Sequence, residues 1–126
     1  MVLDTSAVLA FLLGEPGRDR VVEVILAGAE MTTANFAEVA TRYVLRGAKA
    51  EARGLRERLP VSLVPVDDDL ALRAALMAAV TQAAGLSLGD RLCLAQAQRS
   101  GHHALTADRN WAKVAEEVGV VVEAIR

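Results

Sequence analysis

Residues 1–11 read MVLDTSAVLAF, and the fourth position decides how the rest is read. Met1–Leu3 has the aliphatic character of a buried strand, yet it stops on a carboxylate, Asp4, followed by two hydroxyls, Thr5 and Ser6. Asp4 either caps a helix that begins beyond it or holds a cation at the edge of a sheet. Taken alone it fits both roles, because Thr5 or Ser6 would cap equally well.

Downstream, short aliphatic runs alternate with longer helical patterns. A strand is expected over Met1–Thr5 and a helix over Ala7–Leu13, stopped by Gly14 and Pro16. Arg18–Ala27 reads as helix and Glu30–Thr32 as a short strand, after which Thr32 or Thr33 caps a helix running to about Arg46. A charged helix follows over Lys49–Leu59, then a strand over Val61–Val66 and one long helix over Asp67–Ala84, closed by Gly85. Ser87–Arg99 and Asp108–Val118 read as helices, and His103–Thr106 and Val120–Ile125 as strands. Strands alternating with helices imply an α/β fold, a mostly parallel central sheet with helices on both faces. No linker or repeat interrupts the pattern, so residues 1–126 read as one domain.

In an open parallel sheet, ligands bind beyond the carboxyl ends of the strands, where the strand order reverses. Asp4 ends the first strand and Asp108 directly follows the fourth, in ALTADRNW. If those two strands are neighbours, both carboxylates enter one crevice.

Composition narrows the chemistry. Hydrophobic residues make up 53% of the chain and aromatics 3%, so a sizeable core must be built of Ala, Leu and Val. A net charge of -2 gives no global attraction to nucleic acid or anionic membranes. There are 12 arginines against 2 lysines. Arginine suits phosphates, but a GC-rich coding composition produces the same bias and is the first explanation. The lone cysteine, Cys93, excludes an internal disulfide and a cysteine-rich zinc site, and its aliphatic neighbours make it a core residue. No signal-peptide pattern opens the chain and no uncharged apolar run is long enough for a bilayer, so a soluble, cytoplasmic protein is expected.

Two further acids compete with structural roles. Asp90, in LSLGDRLCLAQA, completes a capping box with Ser87. Yet Cys93, Leu94 and Ala97 share its helical face, and a carboxylate on an apolar stripe is costly without compensation. Glu38, in NFAEVATRY, points away from the core face of Phe36, Val39, Ala40 and Tyr43. An i,i+4 ion pair with Arg42 is its plainer role, although Asn35, Glu38 and Arg42 form a polar stripe that equally suits a cleft wall. By contrast, Asp67, Asp68 and Asp69 crowd a helix start, where the macrodipole favours negative charge, and read as solvated. His102 and His103 are adjacent in a turn and cannot form a helical zinc pair. The remaining donors are all oxygen, which suits hard cations such as Mg2+ or Mn2+.

LDTSA, NFAEVATRY, LSLGDRLCLAQA and LTADRNW, in this order, resemble the acidic segments of a PIN domain. The short chain most resembles the VapC-like toxins of type II toxin–antitoxin pairs. The resemblance implies a metal-dependent endoribonuclease whose catalytic residues are Asp4, Glu38, Asp90 and Asp108, supported by Thr5 or Ser6, Asn35 and Thr106. It implies Asp4, Asp90 and Asp108 as ligands of Mg2+ or Mn2+, with Glu38 orienting water or holding a second ion. Activated water would then attack phosphorus in line, leaving a 5′-phosphate and a 3′-hydroxyl. Arg42, Arg46 and Arg91 are near enough in sequence to hold flanking phosphates. Asn110 stands where some relatives carry another acid. An RNA substrate, a homodimer and a cognate antitoxin covering the cleft are further implications. Two alternatives stay open on the residues alone. One is a phosphatase or phospho-acceptor domain, Asp67 following the third strand; the other is a binding module whose acids only cap helices.

Overall fold

The computed structural model describes residues 1–126. Five short strands, β1 (Val2–Leu3), β2 (Glu30–Thr32), β3 (Ser62–Val64), β4 (Ala104–Thr106) and β5 (Val122–Ala124), form one sheet in the order β3-β2-β1-β4-β5. Every pairing is parallel. The central strand is buried on both sides, as its unbroken aliphatic sequence requires. Period-2 alternation sends successive side chains to opposite faces. Val2 and Ala104 join one apolar layer with Leu70, Leu92, Leu94 and Trp111. Leu3 and Leu105 join the other, with Val8, Val21, Met31 and Val39.

Helices α1 (Thr5–Leu13), α2 (Arg18–Leu26) and α3 (Thr33–Leu45) cover the second layer, and α6 (Asp68–Leu76) and α8 (Leu88–Ser100) cover the first. Strand β1 is shorter than expected because Asp4 leaves the sheet to cap α1, which already includes Thr5.

The expected charged helix over Lys49–Leu59 is two short ones, α4 (Lys49–Arg53) and α5 (Leu55–Arg58), separated by Gly54. The second anchors the segment by burying Leu55, with Leu59 buried just beyond it. The expected single helix over Asp67–Ala84 is also broken. It becomes α6, then α7 (Ala78–Thr81) and a 3-10 turn over Gln82–Ala84. Buried Thr81 donates its hydroxyl to the Met77 carbonyl at 2.9 Å, a side-chain bond that bends helices. Asp108–Val118 likewise splits into a 3-10 helix over Arg109–Lys113 and α9 (Ala115–Val118). Eclipsed i,i+3 side chains of a 3-10 turn let Trp111 and Val114 enter the core together.

Strands β1 and β4 are neighbours, and the Asp4 amide donates to the Leu105 carbonyl at 3.1 Å. From β1 the chain moves outward through β2 and β3, then returns across β1 to reach β4. The order therefore reverses between the two strands that carry Asp4 and Asp108.

Candidate active site

Asp4 is the most constrained of the four acids. It is only 2% exposed. Its Oδ1 accepts from the Ala7 amide at 2.9 Å and the Ser6 hydroxyl at 2.7 Å, and its Oδ2 accepts from the Thr106 hydroxyl at 2.8 Å. The same two hydroxyls reach across to the β4 loop. Ser6 Oγ accepts from the Ala107 amide at 2.8 Å, and Thr106 Oγ1 from the Asp108 amide at 3.0 Å. Loops after β1 and β4 are thus sewn together around one carboxylate. Burial pushes its pKa up to about 6, and the charge of Asp90 adds to the rise against the three hydrogen bonds.

Asp90 forms the expected capping box: its Oδ2 accepts from the Ser87 amide at 2.9 Å while the Asp90 amide donates to Ser87 Oγ at 3.2 Å. Half-burial raises its pKa, and the charges of Glu38 and Asp108 raise it further. Asp108 caps the 3-10 helix, its Oδ1 accepting from the Asn110 amide at 2.9 Å. Glu38 lies on exposed α3 surface, but the expected ion pair with Arg42 is replaced by other partners. Its Oε1 accepts from Thr5 Oγ1 at 2.8 Å and from Asn35 Nδ2 at 3.1 Å. The buried Asn35 amide group also donates to the Gly89 carbonyl at 3.2 Å, tying α3 to the start of α8. Glu38 therefore belongs to a cleft wall. Thr5, Glu38 and Arg42 line that cleft with Leu9, Thr41 and Leu45.

Asp4 and Asp108 are N-caps and Asp90 completes a capping box, and Asp90 links the acids electrostatically, raising Asp4 and being raised by Glu38 and Asp108. Capping and site formation are not alternatives here, because a cap occupies only part of a carboxylate's accepting capacity. The buried Cys93 thiol, pushed well up by burial, also senses the charges of Asp4, Asp90 and Glu38; it is a core residue. The chain's ion pairs use Arg20, Arg73, Arg99 and His102, and none reaches any of the four acids.

Their fit to a cation rests on this donor set. It is oxygen only, one member is nearly fully buried, and no protein cation offsets it, which is the environment of a hard divalent ion. As the side chains lie, no three acidic, histidine or cysteine side chains form a closed ligand group.

The histidines are elsewhere. The His103 carbonyl accepts from the Val2 amide at the opposite end of the strands, and His102 faces Glu30 at 3.5 Å. Asp67, reading as solvated from sequence, is instead gripped on both oxygens by Arg99 at 2.8 and 2.9 Å. Arg99 is 32 positions away, so no local spacing announces it. A second residue that sequence inspection misses is Gly89, whose α-carbon faces the Glu38 carboxylate.

The PIN domain family matches residues 1–117. Among solved structures, a toxin–antitoxin complex from Klebsiella pneumoniae superposes with a TM-score of 0.72 at 18% identity, covering 99% of this chain and 97% of that one. DNA-bound VapBC from Salmonella typhimurium gives a TM-score of 0.77 at 13% identity, covering 99% and 97%. The sarcin-ricin loop cleaving toxin VapC20 of Mycobacterium tuberculosis gives 0.70 at 18% identity, covering 88% and 92%. A comparison with curated protein sequences gives no match. At such identities the structural likeness is one of fold, while the sequence match spans nearly the whole chain. The parallel sheet, the acids at its reversal point and that match agree: the chain belongs to the PIN domain family.

Proposed function

We propose that this chain is a divalent-metal-dependent endoribonuclease, the toxin of a type II toxin–antitoxin pair, acting in the cytoplasm as one nuclease domain over residues 1–126. The observation that carries the reading is that Asp4 feels the charge of Asp90, and Asp90 the charges of Glu38 and Asp108, with no cationic side chain paired to any of the four. Asp4, Asp90 and Asp108 would hold Mg2+ or Mn2+, which supplies Lewis acidity toward a phosphate oxygen and a more acidic water.

The chain's own groups do the positioning. Ser6, Thr106 and the Ala7 amide fix Asp4 so that its orientation is independent of substrate. Thr5 and Asn35 both hold Oε1 of Glu38, which leaves Oε2 without a hydrogen-bond partner and able to accept a proton or orient a water. Arg42 lines the cleft that holds Glu38, and the segment that follows it is rich in cations. Residues 42–58 carry six cations, Arg42, Arg46, Lys49, Arg53, Arg56 and Arg58, against two acids, Glu51 and Glu57. None of the six forms an ion pair, and all are exposed. Arg42, exposed on the cleft wall and without an ion pair, suits an RNA backbone, whereas Arg56 and Arg58 donate to backbone carbonyls. Arg91 is less available, because it donates to the Ala74 carbonyl at 3.1 Å.

The similar structures named as toxin–antitoxin complexes support a protein antitoxin as partner, and we extend the reading to a homodimer. No helix is long and apolar enough to cross a membrane. The test is cleavage of structured RNA with Mn2+ or Mg2+, followed by mapping of the product ends. Cleavage abolished by EDTA, with 5′-phosphates on the products, is expected. Products ending in 2′,3′-cyclic phosphates would exclude hydrolysis by water.

A further inference from the structure

Gly89 poses a puzzle of sequence economy. Glycine weakens a helix, and Gly89 lies inside α8, directly before Asp90. Seven glycines of the chain need glycine's freedom because their φ is positive, and Gly89 is not among them. Space explains it instead. A β-carbon at this position would stand 2.7 Å from the Glu38 carboxyl carbon and 2.9 Å from its Oε2. At Gly54, also free of positive φ, the nearest atom would be 3.7 Å away.

The geometry points to Gly89 as a positioning residue for Glu38: its missing side chain is the seat in which the Glu38 carboxylate rests. Three contacts define that seat. Thr5 and Asn35 hold Oε1 from one side, and the same Asn35 side chain binds the Gly89 carbonyl, so the carboxylate and the glycine backbone are set by one amide. Any side chain at 89 must evict the carboxylate from these hydrogen bonds. Eviction is easy, because the obstructing atoms are the end of an exposed, flexible side chain rather than backbone. A substitution here therefore spares the fold and moves the acid.

The catalytic consequence rests on the nuclease reading; the positional one does not. The experiment compares wild type, Gly89→Ala, Glu38→Gln and the double variant, each with selective 13C labelling of glutamate carboxyls in EDTA. Glu38→Gln identifies the Glu38 resonance by its loss. Gly89→Ala should shift that resonance while the melting temperature holds or rises. RNA cleavage with Mn2+ should fall between about ten- and a hundredfold, the scale expected from an ångström-sized misplacement of a reacting group. Gly89→Ala should add nothing in the Glu38→Gln background, because both changes remove one interaction. An unmoved Glu38 resonance in Gly89→Ala, or fully additive losses in the double variant, would overturn the inference. A shifted resonance with cleavage untouched in all variants would uphold the seat and sink Glu38's place in the nuclease site.

Discussion

Two groups of aspartates begin helices in this chain, and they have opposite electrostatic fates. At α6, Asp67 caps the helix through the Leu70 amide, and Arg99 binds Asp67 and Asp69 while Arg73 also binds Asp69. Those bonds hold the Asp67 carboxyl below its ordinary range. At the carboxyl ends of β1 and β4, Asp4 and Asp108 cap helices in the same manner, and Asp90 completes the Ser87 capping box of α8. No arginine joins these, and both Asp4 and Asp90 are pushed up. Helix capping is common to both groups and so says nothing about function. The missing cation separates them: arginines neutralise one cluster, and no protein cation pairs with the other.

The contrast breaks first on activity. Asp4→Asn and Asp90→Asn should each lower RNA cleavage by at least about a hundredfold, beyond the ~10–100-fold typical of residues that merely support metal ligands. Asp68→Asn, at the solvent-exposed start of α6, should leave cleavage at the wild-type rate. Rates measured on the three folded variants check both halves. If Asp68 were as damaging as Asp4, the two clusters would have been wrongly distinguished.

Stability sharpens the comparison at smaller scale. The Asp4 carboxyl keeps its proton to about pH 6 in the folded chain against an ordinary value of 3.8, so ionising it works against folding. That cost is absent in acid below both values, grows as pH rises through the interval between them, and is complete at neutral pH. Asp4→Asn should therefore stabilise the protein in EDTA at pH 7 by about 1–3 kcal/mol, with the gain shrinking toward zero near pH 4. Denaturant titrations across this range give the difference directly. Asp67 has the opposite sign, because its carboxyl is held low: what it contributes is present at neutral pH and lost on acidification. A gain for Asp4→Asn that did not vary with pH would remove burial of charge as its cause.

Much of this was legible in the residues, for physical reasons that also mark where legibility ends. The alternation of aliphatic runs with amphipathic segments carries the strand and helix order, because buried parallel strands must be apolar throughout. The site acids stand out locally, Asp90 through its apolar face and Asp4 through the strand it ends. What sequence could not show is contact at a distance. Arg99 changes the character of Asp67 across 32 positions, Thr5 rather than Arg42 claims Glu38 across 33, and the need for Gly89 appears only once α3 lies against α8. The helix expected over Asp67–Ala84 fails at Met77 because Thr81 finds a hydrogen bond that its helix propensity does not reveal. Asp4 does cap α1, and because that cap uses only part of the carboxylate's accepting capacity it does not decide against a metal.

If a divalent cation completes the uncompensated cluster, melting with and without Mn2+ will show it. An ion that binds the folded state alone stabilises by mass action, by about 2.7 kcal/mol at a hundredfold excess over its dissociation constant. Millimolar Mn2+ should raise the melting temperature of wild type and of Asp67→Asn alike, and should lose most of that effect on Asp90→Asn. A wild-type melting temperature indifferent to Mn2+, with Asp90→Asn less stable than wild type in EDTA, would contradict the account and leave Asp90 a capping residue only.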